Sequence, residues 1–503
     1  MSGSRSQLAL VCLLVFGTGW VVGVAKLSQV LMTSAGGRFV TRSEGRAEAF
    51  LLTFGLAKAI GNLVVGAAAD TVGRQPCMVI GWGFGALFCL AILLAPSWDV
   101  VVAADLLLGL NQAFCWSVAL FIAVDWLGPS QRARAVGLVE TLGYSAIALA
   151  SPLVGAIGVN GISSMHIVLL FLSLGCGAAS HLLLRETRAL ALGEASNGKP
   201  AHETSSSGNG SYGGDDATAA AAGGNGGGNG GRRAVERGAI VWPSGRRDEH
   251  SVVRLACAYV SCLDRALMAC CLVGLALNFA SAYAWGAMTR WLKRVTTTHD
   301  GVAHLGAEVG VVLMAYSMPK GLLQLPAGAL ADKRLRGCGP REFVILGLLM
   351  ISGALAALAA LSIAELDAGT TVAAALPLAT VLGAGTAVAY SPVIACVVAR
   401  AEPSWRSAAA GTYRFWRDLG FAVGGLLLGK AVDGAQGAPW VAPLLAALAI
   451  TSTAGLFASS YPREPPGGVP AATGGGAGFE LAKAESSSPG VLLSRDAPRS
   501  EVA

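Results

Sequence analysis

Long apolar runs separated by short polar connections dominate the chain. Twelve runs are of helix length, lying near 7–31, 48–69, 77–96, 100–127, 136–158, 164–185, 267–290, 306–331, 342–363, 370–399, 408–431 and 438–460. A helix needs about 20 apolar residues to cross a bilayer core, and no run shows the roughly ten-residue alternation of an outer-membrane barrel strand. The pattern predicts an all-α polytopic membrane protein with twelve transmembrane helices. The first run lacks a small-residue cleavage site and reads as a retained helix, not a signal peptide. Two stretches break the pattern. Within the linker 187–265, the run NGKPAHETSSSGNGSYGGDDATAAAAGGNGGGNGG has almost nothing to bury, and 463–503 are rich in Gly, Pro and Ser. Both read as disordered.

The pattern repeats. Lys58 to Arg74, KAIGNLVVGAAADTVGR, is answered 262 residues later by Lys320 to Arg336, KGLLQLPAGALADKRLR. Lys58 matches Lys320, Asn62 is answered by Gln324, Gly66 matches Gly328, and Asp70 matches Asp332. A second register, offset by 274, pairs Gly109 with Gly383, Trp116 with Tyr390, Ser117 with Ser391 and Arg132 with Arg406. The chain therefore reads as two pseudo-symmetric six-helix bundles, 1–186 and 266–462, joined by the linker at 187–265 and followed by the tail at 463–503. Duplicated halves with a polar linker are a recurrent plan of secondary transporters, which bind solute near mid-membrane between the halves.

Composition agrees: 54% hydrophobic and 13% charged residues exclude an ordinary soluble globule of 503 residues. The net charge of +6 matters through its placement. Connections 95–99, 159–163, 364–369 and 432–437 hold no Lys or Arg, whereas Arg74, Arg132, Arg134, Lys333, Arg334, Arg341 and Arg406 occupy the alternate ones. The positive-inside rule then puts both termini, the linker and the tail in the cytoplasm. Connections 32–47 and 291–305 dissent, carrying Arg38, Arg42 and Arg46, and Lys293 and Arg294. The eleven cysteines have no CxxC or zinc-ribbon spacing and read as reduced packing residues. No metal ligand set, cofactor fingerprint or catalytic triad is present, so no enzyme activity, metal or cofactor is expected.

GAAADTVGR, from Gly66 to Arg74, resembles the loop signature of the major facilitator superfamily. Gly66, Asp70, Gly73 and Arg74 match it; Thr71 and Gln75 stand where basic residues are usual. The second copy keeps Gly328, Asp332 and Lys333 and loses the glycine spacing. The resemblance covers roughly 7–186 and 266–460 and implies the superfamily's fold and a gate in which the aspartate helps latch the cytoplasmic side. In segment 4 Asp105 stands where the family's motif opens with arginine, so that arginine's proton-transfer role does not carry over. Ser151 to Ala156, SPLVGA, is a degraded form of the antiporter motif. NQAFCWS, WLGPSQRARAVG and YRFWRDLGF are similar to efflux-type permeases grouped with sugar and drug exporters. The resemblance further implies a cavity lined by segments 1, 4, 7 and 10, which hold Trp20, Asn111, Gln112, Trp116, Asn278, Trp285 and Tyr390.

Depth selects the candidate chemistry. Lys58 and Lys320 each lie twelve residues before a gate aspartate, hence about 18 Å from the cytoplasmic end of a core about 30 Å thick. An ionisable residue at the midplane belongs inside the bundle or on a water-filled cavity, and Asn62 and Gln324 continue the stripe. Paired cations from the two halves suit an anionic solute; the nitrate and organophosphate branches of the superfamily resemble this. The competing reading neutralises each lysine within its own half, Lys58 by Asp105 or Glu140 and Lys320 by Asp418 or Glu308; a third has a deprotonated or proton-shuttling lysine. Asp418 and Glu140, with Arg417 and Asp105, are the candidates for proton coupling, Asp418 equally for a structural salt bridge.

The reading that results is a secondary active transporter of a small solute, alternating access under a proton or other gradient. Neutral sugar or drug efflux is the alternative cargo, and a transporter-like receptor or scaffold without net flux the alternative class. The expected partners are a small-molecule or ion substrate and the lipid bilayer, with no nucleic acid, and the chain is expected to act as a monomer.

Overall fold

The computed structural model describes residues 2–34, 36–127, 132–188, 264–297, 305–333, 338–400 and 406–463. The linker expected at 187–265, apart from its first and last two residues, and the tail beyond 463 lie outside these residues. Helices occupy the twelve apolar runs. They are α1 Ser2–Thr33, α2 Ala49–Thr71, α3 Arg74–Leu94, α4 Trp98–Leu127, α5 Arg132–Ile157, α6 Ile162–Leu182, α7 Arg265–Tyr283, α8 Leu305–Leu322, α9 Pro340–Ile363, α10 Ala368–Arg400, α11 Arg406–Gly434 and α12 Val441–Ser460. No strand occurs among the described residues. Ten of the helical runs are long and apolar enough to cross a membrane. The remaining two, α8 and α11, carry Lys320, and Arg414, Arg417 and Asp418.

Two irregularities have identifiable causes. Beyond α8 the chain continues as a second helix, Gln324–Asp332. Pro326 has no N–H to offer the carbonyl four residues back, so the helical ladder breaks after Leu322. α7 runs on through a π-helical turn, Ala284–Met288, into a further helix, Thr289–Thr297. At that turn the Thr289 hydroxyl donates to the carbonyl of Ala284 at 2.7 Å, five residues back. Hydroxyls inside the spans are satisfied in the same local way: Thr18 donates to Leu14 O, Ser28 to Val24 O and Thr386 to Leu382 O, as a water-free surrounding demands.

The duplication holds in three dimensions. In the first half α1 packs on α5, α2 on α4, and α3 on α4 and α6; in the second, α7 packs on α11, α8 on α10, and α9 on α10 and α12. Each pair reappears six helices later. The glycines paired by the sequence offset do equivalent work. A Cβ at Gly109 would lie 2.5 Å from Phe54 O of α2, and one at Gly383 would strike the backbone of Tyr316 in α8. Phe54 and Tyr316 are themselves related by the offset of 262. The halves meet along α2–α11 and α5–α8. There too glycine permits the approach: a Cβ at Gly55 would lie 2.5 Å from Ala422 N, and one at Gly425 2.6 Å from Leu51 Cβ.

Gly109→Ala is expected to destabilise the protein by about 1–3 kcal/mol, because the neighbour struck is backbone. Gly353→Ala in α9, where the added methyl would meet nothing within 4 Å, should leave the melting temperature of the purified protein in detergent unchanged or slightly raised. Equal melting of the two variants would refute the close-crossing account.

Candidate functional site

Polar side chains from both halves converge where α2 and α11 cross. Asp418 of α11 is fully buried and is met by donors from four side chains. Arg417 reaches it twice, Nε to Oδ1 at 3.0 Å and Nη2 to Oδ2 at 2.9 Å. From the other half come Lys58 Nζ at 3.3 Å from Oδ1 and Asn62 Nδ2 at 2.5 Å from Oδ2. Asn278 of α7 donates to Oδ1 at 3.0 Å, and the Ser117 hydroxyl orients Asn62 by donating to its Oδ1 at 2.8 Å. Arg417 also donates to the Tyr390 hydroxyl. The expectation that Lys58 is neutralised by Asp105 or Glu140 of its own half is therefore corrected, since its partner belongs to the opposite half.

Two small adjoining cavities, each of about 20 Å³, lie beside this hub and share Lys58, Gln112 and Tyr144 on their walls. One holds Trp116, Glu140, Tyr390, Arg414 and Arg417; there Trp116 Nε1 donates to Glu140 Oε1 at 3.2 Å. The other holds Lys26, Trp285, Tyr316, Lys320 and Phe421. Lys320, 3% exposed, bonds only neutral oxygens, donating to Ser281 Oγ at 2.9 Å and to the Tyr316 hydroxyl at 3.2 Å. Its Nζ also lies 4.8 Å from the Tyr144 ring centre. The expected pairing of Lys320 with Asp418 or Glu308 is not formed. Lys26 is equally buried, with its Nζ 4.1 Å from the ring centres of both Phe54 and Phe421 and 5.6 Å from that of Trp285. Neither Lys26 nor Lys320 has a carboxylate partner among the described residues.

Other expected site residues lie elsewhere. Asn111 turns into its own half, donating to Gly81 O of α3 at 2.8 Å, and lines neither cavity. Gln324 is buried beyond the break in α8 and also lines neither; the interruption at Leu323 takes it off the stripe of Lys320. Trp20 stacks on Phe16 and stays outside the cavities. Asp105 is fully buried away from the hub, with its Oδ2 accepting from Gln29 Nε2 at 2.6 Å. Of the residues picked from sequence, Lys58, Asn62, Gln112, Trp116, Glu140, Asn278, Trp285, Lys320, Tyr390, Arg417 and Asp418 meet at the hub and cavities. Lys26 was missed. A lysine inside an apolar run was its signal, but only seven residues from the end of α1 it resembles a snorkelling side chain.

The signature at the α2–α3 connection has its own geometry. Gly73 has φ of 118° and its Cβ position is closed by Glu186, so only glycine fits. Arg74 is buried, pairs with Asp125 at 3.3 Å and donates to Ala69 O at 2.7 Å. Glu186 accepts from the backbone N–H of Arg74, Gln75, Thr187 and Arg188. Burial works to raise its pKa, but these four bonds to the ionised form outweigh it and hold the carboxyl below its ordinary value. Gly66 has open space around its Cβ position, and Gly328 rests on Ser391 of α10. The side chains of Asp70 and Asp332 lie outside the described ones.

At the opposite end, the connection after α1 closes on α7 and α11. A one-turn helix, Glu44–Ala47, is N-capped by Ser43. Glu44 takes Arg290 Nε at 2.5 Å and Arg294 Nη2 at 3.1 Å. Asp433 of α11 accepts from Ser43 Oγ at 2.7 Å, Glu44 N at 2.7 Å and Gly45 N at 2.9 Å. Burial raises the Asp433 pKa, yet these donors and Arg290 prevail and leave it lowered.

A family model described as Major Facilitator Superfamily matches residues 8–302. Among solved structures, the nucleoside transporter NupG superposes with a TM-score of 0.61 at 12% identity, covering 91% of this chain and 100% of that one. A mutant of NupG gives 0.62 at 13%, with the same coverage. At such identities the likeness is one of fold. No curated protein sequence matches the chain.

Asp418→Asn should cost about 3–5 kcal/mol, because it leaves Arg417 and Lys58 buried without a counter-charge; a melting temperature within a degree of wild type would contradict the hub. Asp433→Asn should lower the melting temperature at neutral pH. Because the Asp433 pKa is depressed on folding, its contribution is complete above the ordinary aspartate value of about 3.9 and is lost as pH falls through the lower folded value. The gap between Asp433→Asn and wild type should therefore be constant above about pH 5 and shrink below about pH 4, as followed by thermal melts across a pH series.

Proposed function

The chain belongs to the Major Facilitator Superfamily, integral multi-pass membrane transporters of small solutes, and on that premise we propose that its cargo is a small anion held between Lys26 and Lys320. The observation that carries this is the pair of lysine side chains, both 3% exposed, that share one cavity and have no carboxylate partner among the described residues. A buried charge without its opposite is costly, and an anionic solute supplies the missing opposite. Lys58, the sequence's first choice with Lys320, is already committed to Asp418 and serves the hub that joins the halves. The functional pair is thus one lysine from each half, Lys26 from α1 and Lys320 from α8.

Trp285, Tyr144 and Tyr316 wall the same cavity, so aromatic faces flank the anion. A neutral sugar or drug-like cargo is the second reading, favoured by those rings and by Gln112. Among the carboxylates, Asp418 is saturated with donors and is assigned to structure; Glu140, on the cavity with Trp116 as its donor, is the better candidate for gradient coupling. The proposed orientation keeps both termini in the cytoplasm. One dissenting cation of the 291–305 connection supports it: Arg294 is held by Glu44 where the α1–α2 connection closes on α7 and α11, in this reading the outer gate, which accounts for its presence on the outer side. In that orientation the chain is closed outward.

Lys26→Gln and Lys320→Gln should each reduce anion flux into reconstituted vesicles at least about tenfold, the effect of losing one charge-assisted hydrogen bond of about 1.5–3 kcal/mol. Melting each variant without solute separates loss of transport from loss of fold. Survival of anion transport in both folded variants would end the anion reading, and flux of a neutral solute in both would establish the second. Ligand-induced stabilisation without any flux would point instead to a receptor.

A further inference from the structure

The carboxylate of Glu48, at the join between the one-turn gate helix and α2, is the least compensated acid in the gate. It is 0% exposed, and neither Oε1 nor Oε2 has a hydrogen-bond partner among the described residues. Its carboxylate lies over Gly286, in the π-helical turn of α7, so closely that a Cβ there would sit 2.7 Å from Glu48 Cδ and 2.9 Å from Oε2. On the other side α11 closes over its backbone at Gly425, whose Cβ position is 3.2 Å from Glu48 O.

The gate's cations are occupied elsewhere. Arg290 gives Nε and Nη2 to Glu44, Nη1 to Thr33 Oγ1 at 2.8 Å, and shares Nη2 with Thr41 O at 3.3 Å; Arg294 is bound to Glu44. The titratable and charged groups that face Glu48 are Glu44 one turn before it, Tyr283, Arg290 and Arg294 of α7 and its extension, and Asp433 of α11. Two of these are carboxylates whose donors are already in place. An ionised Glu48 would add a third negative charge where no donor among the described residues points at it, and a buried carboxylate without donors escapes that cost by taking a proton.

We propose that Glu48 is a proton-binding site built into the gate, protonated while α7 and α11 are closed over it and deprotonated when the gate opens to water. The site is distinct from the cargo cavity, which it does not line, and does not depend on the cargo being an anion. The sign follows from where the proton sits. Closure takes one proton up and opening releases it, so acid favours the closed gate and alkali the open one. The open-to-closed ratio should then rise by up to about tenfold per pH unit above the ordinary glutamate value of about 4.3. A proton gradient would thus act on gate closure directly.

Hydrogen–deuterium exchange of the full chain in nanodiscs, followed across pH and corrected for the chemical rate, tests this in peptides covering 41–50 and 426–437. In wild type the corrected exchange should rise with pH, and in Glu48→Gln, which copies the protonated acid, it should be low and flat. Glu48→Gln should also melt at or above the wild-type temperature at neutral pH. Three results would overturn the proposal: no pH dependence in wild type, the same dependence in Glu48→Gln, or a variant that melts well below wild type or fails to fold, because a loss on neutralisation means the carboxylate is charged in the closed gate. The wild-type series needs no variant, so the idea stays testable whatever the substitution does.

Discussion

The contact between Asp418 and the groups of both halves is the constraint that the rest of the molecule accommodates. A buried carboxylate is tolerable only when nearly every lone pair is used, and here Arg417 and Asn278 from its own half and Lys58 and Asn62 from the other half use them. The arrangement is a specificity device more than a source of stability, since buried ion pairs roughly break even against apolar packing while removal of one member is severe. It dictates register. Lys58 can reach Asp418 only if α2 and α11 cross within a few ångströms, and Gly55 and Gly425 supply the clearance on which that crossing depends.

The two halves share backbone geometry and differ in chemistry. Gly109 and Gly383 perform the same crossing, and Lys58 and Lys320 occupy equivalent positions. One lysine nevertheless answers a carboxylate across the interface while the other faces Ser281, Tyr316 and the ring of Tyr144. The cavity therefore has one side where lysine meets carboxylate and another where lysine meets only hydroxyls and rings. Lys26 extends the second side, its Nζ lying over the faces of Phe54 and Phe421, one ring from each half.

Much of this was legible in the sequence, and the omissions have physical reasons. Apolar run length placed all twelve helices because a bilayer sets helix length directly. The repeat found Lys58 and Lys320 because duplicated halves keep their internal crossings. It could not reveal that Lys58 pairs with Asp418, since contacts between halves leave no trace in an alignment of one half with the other. Asn111 was misplaced because α4 is apolar all round, so periodicity does not say which face meets the cavity. Gln324 was misplaced although the cause, Pro326, stands in plain view two residues on. Glu44 lies in a polar connection that reads as an ordinary loop and Glu48 at the first position of the second apolar run, and only their folding onto α7 and α11 brings them into one contact.

The positions of hub and gate along α2 bear on how the halves move. In a rocking motion about the membrane midplane, the displacement of a contact grows with its distance from the pivot. Asp418 and Lys58 lie near the midplane, whereas Ala49, where the gate begins, is nine residues away, about 14 Å along the helix. A rotation that parts Glu44 from Arg290 and Gly45 from Gly429 by several ångströms would shift the Lys58–Asp418 pair far less. The hub therefore suits a fulcrum that persists while the two ends open in turn, and the gate suits a contact that is made and broken in every cycle. On the proposed role of Glu48, this division accounts for a carboxylate at the fulcrum that is saturated with donors and one in the gate that has none among the described residues: a permanent charge must be compensated at all times, and a transient one needs only a proton.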